Sequence, residues 1–161
     1  MKKLLFFLLV VTIFTACKST SVTLDKKENK VEKKYIVDNL IKTATDNIGI
    51  RYKAGGNTKN GFDCSGLVFF TFQSEDIVLP RSSFDQSKIG QVIPFDKAKR
   101  GDLIFFKTNK SRQINHVGLI TEANSFEIKF VHSSTSKGVI ISSTKEKYYH
   151  DSFTQINRVL E

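Results

Sequence analysis

Residues 61–70, GFDCSGLVFF, decide how this chain is read. Gly61 and Asp63 mark a turn, and the run from Leu67 to Phe70 is apolar enough to be buried. Cys64 sits on the seam. Asp63 is suited to cap a helix from Cys64 to about Gln73, because its carboxylate can accept an unpaired amide of the first turn. A thiol at that position lies in the field of the helix N-terminus. This favours the thiolate and predicts a pKa below the free value of about 8.5. Gly66 leaves room for an approaching substrate, and the backbone N–H of Cys64 or a neighbour could serve an oxyanion.

Working outward, Ile36, Val37, Leu40, Ile41, Ala44 and Ile48 recur at helical spacing, with Gly49 where a helix would stop. The glycine-rich stretch RYKAGGNTKNGF, residues 51–62, reads as loop. LPRSSFDQSKIG, residues 79–90, reads as loop and short helix. Beyond Arg100-Gly101-Asp102 the character changes. LIFFK, HVGLITEA, FEIKFVHSS, GVIISST and INRVL are rich in β-branched and aromatic residues and are separated by turn signals. Helices followed by sequential strands predict an α+β domain, with helices packed on an antiparallel sheet. Asp102 reads as a turn residue at a strand start, and Arg100-Gly101-Asp102 as an adhesion motif is too short to carry weight.

The N-terminus has its own signature. Met1-Lys2-Lys3 precedes LLFFLLVVTIFTA, an uncharged run too short to span a bilayer of roughly 30 Å as a helix. A basic start, an apolar run and small residues make an export signal. The ending Phe14-Thr15-Ala16-Cys17 resembles a bacterial lipoprotein signal, which implies cleavage after residue 16 and acylation of Cys17. Phe14 stands where such signals usually carry leucine. Residues 18–33 are polar and charged, and read with Cys17 as a flexible tether (17–33) ahead of a single unit over 34–161. With Cys17 lipidated, the second of the two cysteines, Cys64, has no disulfide partner. The formal charge is +9 and falls to +7 without Lys2 and Lys3. Such a balance suits an anionic polymer. Nucleic acid is disfavoured, because the lysines are dispersed and the chain is exported.

A thiol nucleophile needs a proton acceptor. His116 opens one predicted strand and His132 lies in the next. With the intervening hairpin centred near Asn124, the two would be direct cross-strand partners, close enough for side-chain contact. His116 could then be the base beside Cys64, with His132 fixing its tautomer. His150, in the polar segment EKYYHDSF, reads as surface. Two plainer readings compete: Cys64 as a small buried hydrophobe, and a zinc site on Cys64, His116 and His132. The second lacks a close-spaced ligand pair, so no metal is expected.

The blocks IRYKAGGNTKNGFDCSGLV, LPRSSFDQ, RGDLIFF, HVGLI and FVHSSTSKGVIISS, in that order, resemble the NlpC/P60 family of cell-wall peptidases over residues 35–160. Within it, the small lipidated murein DD-endopeptidases are most alike. The resemblance implies a papain-like fold, with the nucleophile helix packed on a five- or six-stranded sheet. It implies Cys64 as nucleophile, His116 as general base and acid, and His132 as the orienting residue. Tyr52 matches a tyrosine beside the nucleophile, and Asp63, Ser65 and Arg81 are implied to shape the substrate cleft. Two departures stand out: Ala54 replaces a bulkier residue before Gly55-Gly56, and the loop TEANSFEIK looks long. The implied reaction is amide hydrolysis in the stem peptides of peptidoglycan, without metal or organic cofactor. The expected bond is the D-alanyl–diaminopimelate cross-link. The alternatives are the γ-D-glutamyl–diaminopimelate bond, or a non-catalytic wall-binding lipoprotein. A thioesterase or acyltransferase fits less well, since the loop before Cys64 is polar. The expected setting is the cell envelope, as a monomer anchored by lipid on Cys17 to the outer membrane and facing the periplasm, since Lys18 is not the aspartate of inner-membrane retention.

Overall fold

The structure, a computed structural model, describes residues 21–160, with side chains from residue 29 onward. The expected signal peptide over 1–16 and the acylation of Cys17 lie outside the described residues. The chain divides into two units, residues 1–32 and 33–161. Of the first, the described part is the opening of helix α1 (Ser21–Thr45). The stretch expected to be a flexible tether is therefore helical from Ser21 onward. Composition explains the difference: residues 24–34 are dominated by lysine and glutamate, with no glycine or proline to interrupt them. Among the described residues no helix is long and apolar enough to cross a membrane.

In the second unit, α1 buries Leu40 and Ala44. It ends at Thr45, ahead of the expected stop, and a turn carries the chain to Gly49 at φ +90°. Ile48 falls in that turn and is largely exposed. The expected loop 51–62 contains a minimal hairpin, β1 (Asn57–Thr58) and β2 (Gly61–Phe62), whose Phe62 is fully buried. Helix α2 (Cys64–Gln73) follows at the expected bounds, then the single turn α3 (Ser83–Gln86). The strands are β3 (Gln91–Ile93), β4 (Leu103–Phe106), β5 (His116–Ala123), β6 (Ile128–Ser134), β7 (Gly138–Ser143) and β8 (Phe153–Arg158). A short helix α4 (Lys147–Ser152) precedes β8. The six strands form one sheet in the order β3-β8-β4-β5-β6-β7, with every neighbouring pair antiparallel.

Strand alternation sorts the core into two layers. Leu103, Phe105, Val117, Leu119 and Val131 join Leu40, Leu67, Val68 and Phe72 from the helices. Ile104, Phe106, Ile120, Ile128, Phe130 and Ile156 form a second cluster that takes in Tyr149 from α4. Both faces of the central strands are thus covered, which explains why LIFF is apolar at every position. Asp102 is the turn residue expected ahead of β4. It accepts the Lys99 backbone N–H and a two-pronged pair from Arg158, at 2.9 and 2.8 Å, which ties the start of β4 to the end of β8.

The β5–β6 register differs from the expected one. Leu119 faces Val131 and Ile120 faces Phe130, and the pairing shifts by one residue before Glu122 and Lys129. Continuing the first register places His132 opposite Gly118, not His116. The turn occupies residues 124–127, where the Asn124 side chain accepts the N–H groups of Phe126 and Glu127 at 2.9 Å. The hairpin is therefore centred beyond Asn124, and most of the expected long loop TEANSFEIK is strand.

Candidate active site

The first turn of α2 is built from a dense polar network. Asp63 caps the helix, its Oδ1 accepting the Gly66 N–H at 2.7 Å and the Ser65 hydroxyl at 3.2 Å. Arg81 grips both Asp63 oxygens, at 2.9 and 2.6 Å, and also donates to Ser65 Oγ and the Gly56 carbonyl. Fully buried Gln86 donates to the carbonyls of Ser65 and Pro80. The three residues implied to shape a cleft thus spend much of their hydrogen-bonding capacity on one another and on the backbone that presents Cys64. Gly66 corrects an expectation. A Cβ there would stand 1.9 Å from the Gly56 carbonyl oxygen, so the missing side chain admits the neighbouring loop rather than a substrate.

Cys64 carries a free thiol. Its Sγ lies 3.8 Å from the Asn115 carbonyl, and the Val117 N–H acts on it as well, so the sulfur meets the backbone at the start of β5, at the two residues that bracket His116. Asn115 is held in turn, its side chain accepting the Thr108 N–H at 2.8 Å and donating to the Thr108 carbonyl at 3.2 Å. The expectation of a lowered thiol pKa is not met. Burial first, and then the Asp63 carboxylate, push the thiol up, while the N–H groups of Val117, Ser65 and Cys64 pull the other way.

His116 and His132 do meet. Nε2 of His116 lies 2.9 Å from Nδ1 of His132, with the rings nearly perpendicular. The contact is diagonal across the ladder rather than direct. Gly118, the residue opposite His132, makes room for Phe130, which packs against the His132 ring; a Cβ there would strike Phe130 at 2.6 Å. Burial lowers the His116 pKa to about 4. His132, wholly buried, is lowered further, by burial first and then by His116. Both imidazoles are therefore neutral at pH 7, and each shares one proton between two ring nitrogens.

The second ring nitrogen of His132 reveals a residue that the sequence reading missed. Its Nε2 lies 3.2 Å from the Tyr149 hydroxyl, and Tyr149 is 7% exposed. Tyr149 also packs edge-on against Phe106 and Phe130. In sequence it is one of two adjacent tyrosines in a polar segment with no periodic signal, so nothing distinguished it from Tyr148. His150, next in line, is exposed as expected. Tyr52 forms a backbone bridge to Phe62. Its phenol pKa is raised by burial, then by charge on Cys64 and on Asp63, with Arg81 opposing.

The arrangement links two neutral imidazoles and a phenol by hydrogen bonds, with a thiol at a helix N-terminus lying against the backbone on either side of the first imidazole. The model of the NlpC/P60 family matches residues 49–158. The murein DD-endopeptidase MepS/murein LD-carboxypeptidase of Escherichia coli K12 is 36% identical over 143 residues, spanning 88% of this chain and 73% of the relative. A probable endopeptidase NlpC from the same organism is 41% identical over 112 residues, spanning 69% of this chain and 70% of the relative. Among solved structures, an NLP/P60 family protein of Staphylococcus aureus, described as similar to lipoprotein, superposes with a TM-score of 0.69 at 30% identity. That superposition covers 79% of this chain and 42% of the other, so this chain spans about two fifths of that solved protein. Since the matched residues run from before Tyr52 to beyond Tyr149, through every group of the site, the chain belongs to the NlpC/P60 family.

Proposed function

We propose that this chain is a cysteine peptidase that hydrolyses amide bonds in the stem peptides of peptidoglycan, with Cys64 as nucleophile, His116 as general base and acid, and His132 as the residue that orients His116. The observation that carries this reading is the 2.9 Å contact between His116 and His132, made where the Cys64 sulfur lies against the backbone on either side of His116.

The tautomers follow from the partners. For Nδ1 of His116 to accept a proton from Cys64, its Nε2 must carry the hydrogen and donate to Nδ1 of His132. Nε2 of His132 then donates to the Tyr149 oxygen. With the thiol raised and the imidazole lowered, the resting pair is neutral, and proton transfer accompanies attack on the substrate carbonyl. The carbonyl oxygen takes up negative charge, and the Cys64 N–H and the protonated phenol of Tyr52 serve as its donors in this reading. His116 then gives its proton to the departing amine, leaving a thioester on Cys64. Water, deprotonated by His116, attacks the thioester and releases the acid and the free thiol. The route requires no metal or organic cofactor.

The cross-link between D-alanine and diaminopimelate is the favoured bond, supported by the relative named as a murein DD-endopeptidase. We further propose that residues 1–16 are an export signal and that acylated Cys17 holds a monomeric domain at the outer membrane, facing the periplasm. The apolar run ending Ala16-Cys17 supports this. Digestion of purified cross-linked muropeptides, with products identified by mass, tests the function. Monomers ending in D-alanine are expected. Products cut between D-glutamate and diaminopimelate would transfer the assignment to the other bond, and intact dimers would leave a wall-binding role.

A further inference from the structure

A cavity of about 310 Å3 is lined by His116 and by no residue of α2. Its walls include His116 and Tyr149 but neither Cys64 nor Tyr52. In amide hydrolysis the base returns its proton to the leaving amine, so the leaving half of the substrate must lie on the imidazole side of the sulfur. The cavity is placed to receive that half.

The chemistry of the wall identifies what it would hold. The turn joining β6 to β7 contributes Ser134, Thr135, Ser136 and Lys137, three hydroxyls and an ammonium in four successive residues. Ser134 and Ser136 already lie 3.3 Å apart at their hydroxyls. Lys137 makes no ion pair among the described residues. The turn is firmly seated, because the Val139 N–H bonds the Ile50 carbonyl at 2.8 Å, and at Gly138, φ +70°, a Cβ would strike that same carbonyl. Glu146 also lines the cavity and has one oxygen committed to the Ser143 N–H at 2.8 Å. Hydroxyl donors around a free cation form a receptor for an anion, and the anion common to peptide substrates is a carboxylate.

We propose that the 134–137 segment, which ends in Lys137, recognises a free carboxylate on the leaving-amine half of the substrate. It thereby selects diamino-acid cross-links that carry a carboxyl group beside the amine over those that lack one. This inference rests on the peptidase reading above. It assigns Lys137 to specificity, not to chemistry.

The test uses two cross-linked muropeptide dimers that differ only in whether the diaminopimelate carboxyl beside the cross-linking amine is free or amidated. The full chain is assayed as wild type, Lys137→Met and Lys137→Arg. Wild type is expected to favour the free carboxylate by about tenfold in kcat/KM, the scale of one charge-assisted contact. Lys137→Met should bring the ratio near one, and Lys137→Arg should largely retain it. A variant that is merely unstable lowers both rates and keeps the ratio. A preference that survives in Lys137→Met overturns the inference. Equal cleavage of both dimers by wild type overturns the inference alone, and cleavage of neither overturns the peptidase reading with it.

Discussion

Asp63 acts on Cys64 in two opposed ways. Its carboxylate caps the helix that presents the thiol and anchors Arg81, yet its charge adds to burial in holding the thiol protonated. The N-terminal amides of α2 do not outweigh those two effects, so the proposed nucleophile depends on a base, and in the proposed mechanism the tautomer of His116 becomes decisive. The contact to His132 makes Tyr149 the residue that would control it. With the Tyr149 oxygen as acceptor, His132 presents a bare Nδ1 to His116; without it, His132 can place its proton on Nδ1 and force the wrong tautomer on its neighbour. Tyr149→Phe is therefore expected to lower kcat about tenfold with KM unchanged, the scale of one buried hydrogen bond. Steady-state kinetics on a fluorogenic stem peptide checks this. Loss confined to KM would remove Tyr149 from the relay.

At the scale of elements, α2 was legible because turn, cap and apolar run coincide in ten residues. The pairing of two histidines on adjacent strands was legible too. Their geometry was not, because register depends on turn length and bulges that composition does not encode. Folding back about Asn124 pairs 116 with 132. The actual turn over residues 124–127 and the bulge at Thr121 slide the strands until Gly118 faces His132. The glycine of HVG thus acquires a role visible only in three dimensions, as the gap that admits the Phe130 ring beneath His132. Gly118→Ala should force Phe130 aside, costing about 1–3 kcal/mol of stability, and should lower activity by more than the lost stability explains. Urea unfolding beside kcat/KM measures both. An alanine variant with wild-type activity would show that the gap is dispensable.

For the whole molecule, burying two neutral histidines makes stability depend on pH. The folded pKa of His116 is depressed to about 4, and that of His132 is depressed further, below the ordinary value near 6.5. The unfolded chain therefore binds more protons as pH falls below about 6.5. Stability present at neutral pH is lost progressively toward pH 4, and the His132 contribution continues below it. Urea midpoints should fall over that window, and His132→Gln should flatten the decline. A flat wild-type profile would contradict the burial of these rings. The α+β layering was legible from the order of helices and strands, since both core layers reflect simple alternation. The helical start of α1 and the capture of Tyr149 by α4 were not, being set by local propensity in one case and tertiary packing in the other. All of this serves a single sulfur, and comparing Cys64→Ala with wild type on cross-linked muropeptides tests that most directly. The account predicts a variant that melts like wild type and loses about a thousandfold or more in kcat/KM. A folded Cys64→Ala protein that still releases monomers at a near wild-type rate would contradict it.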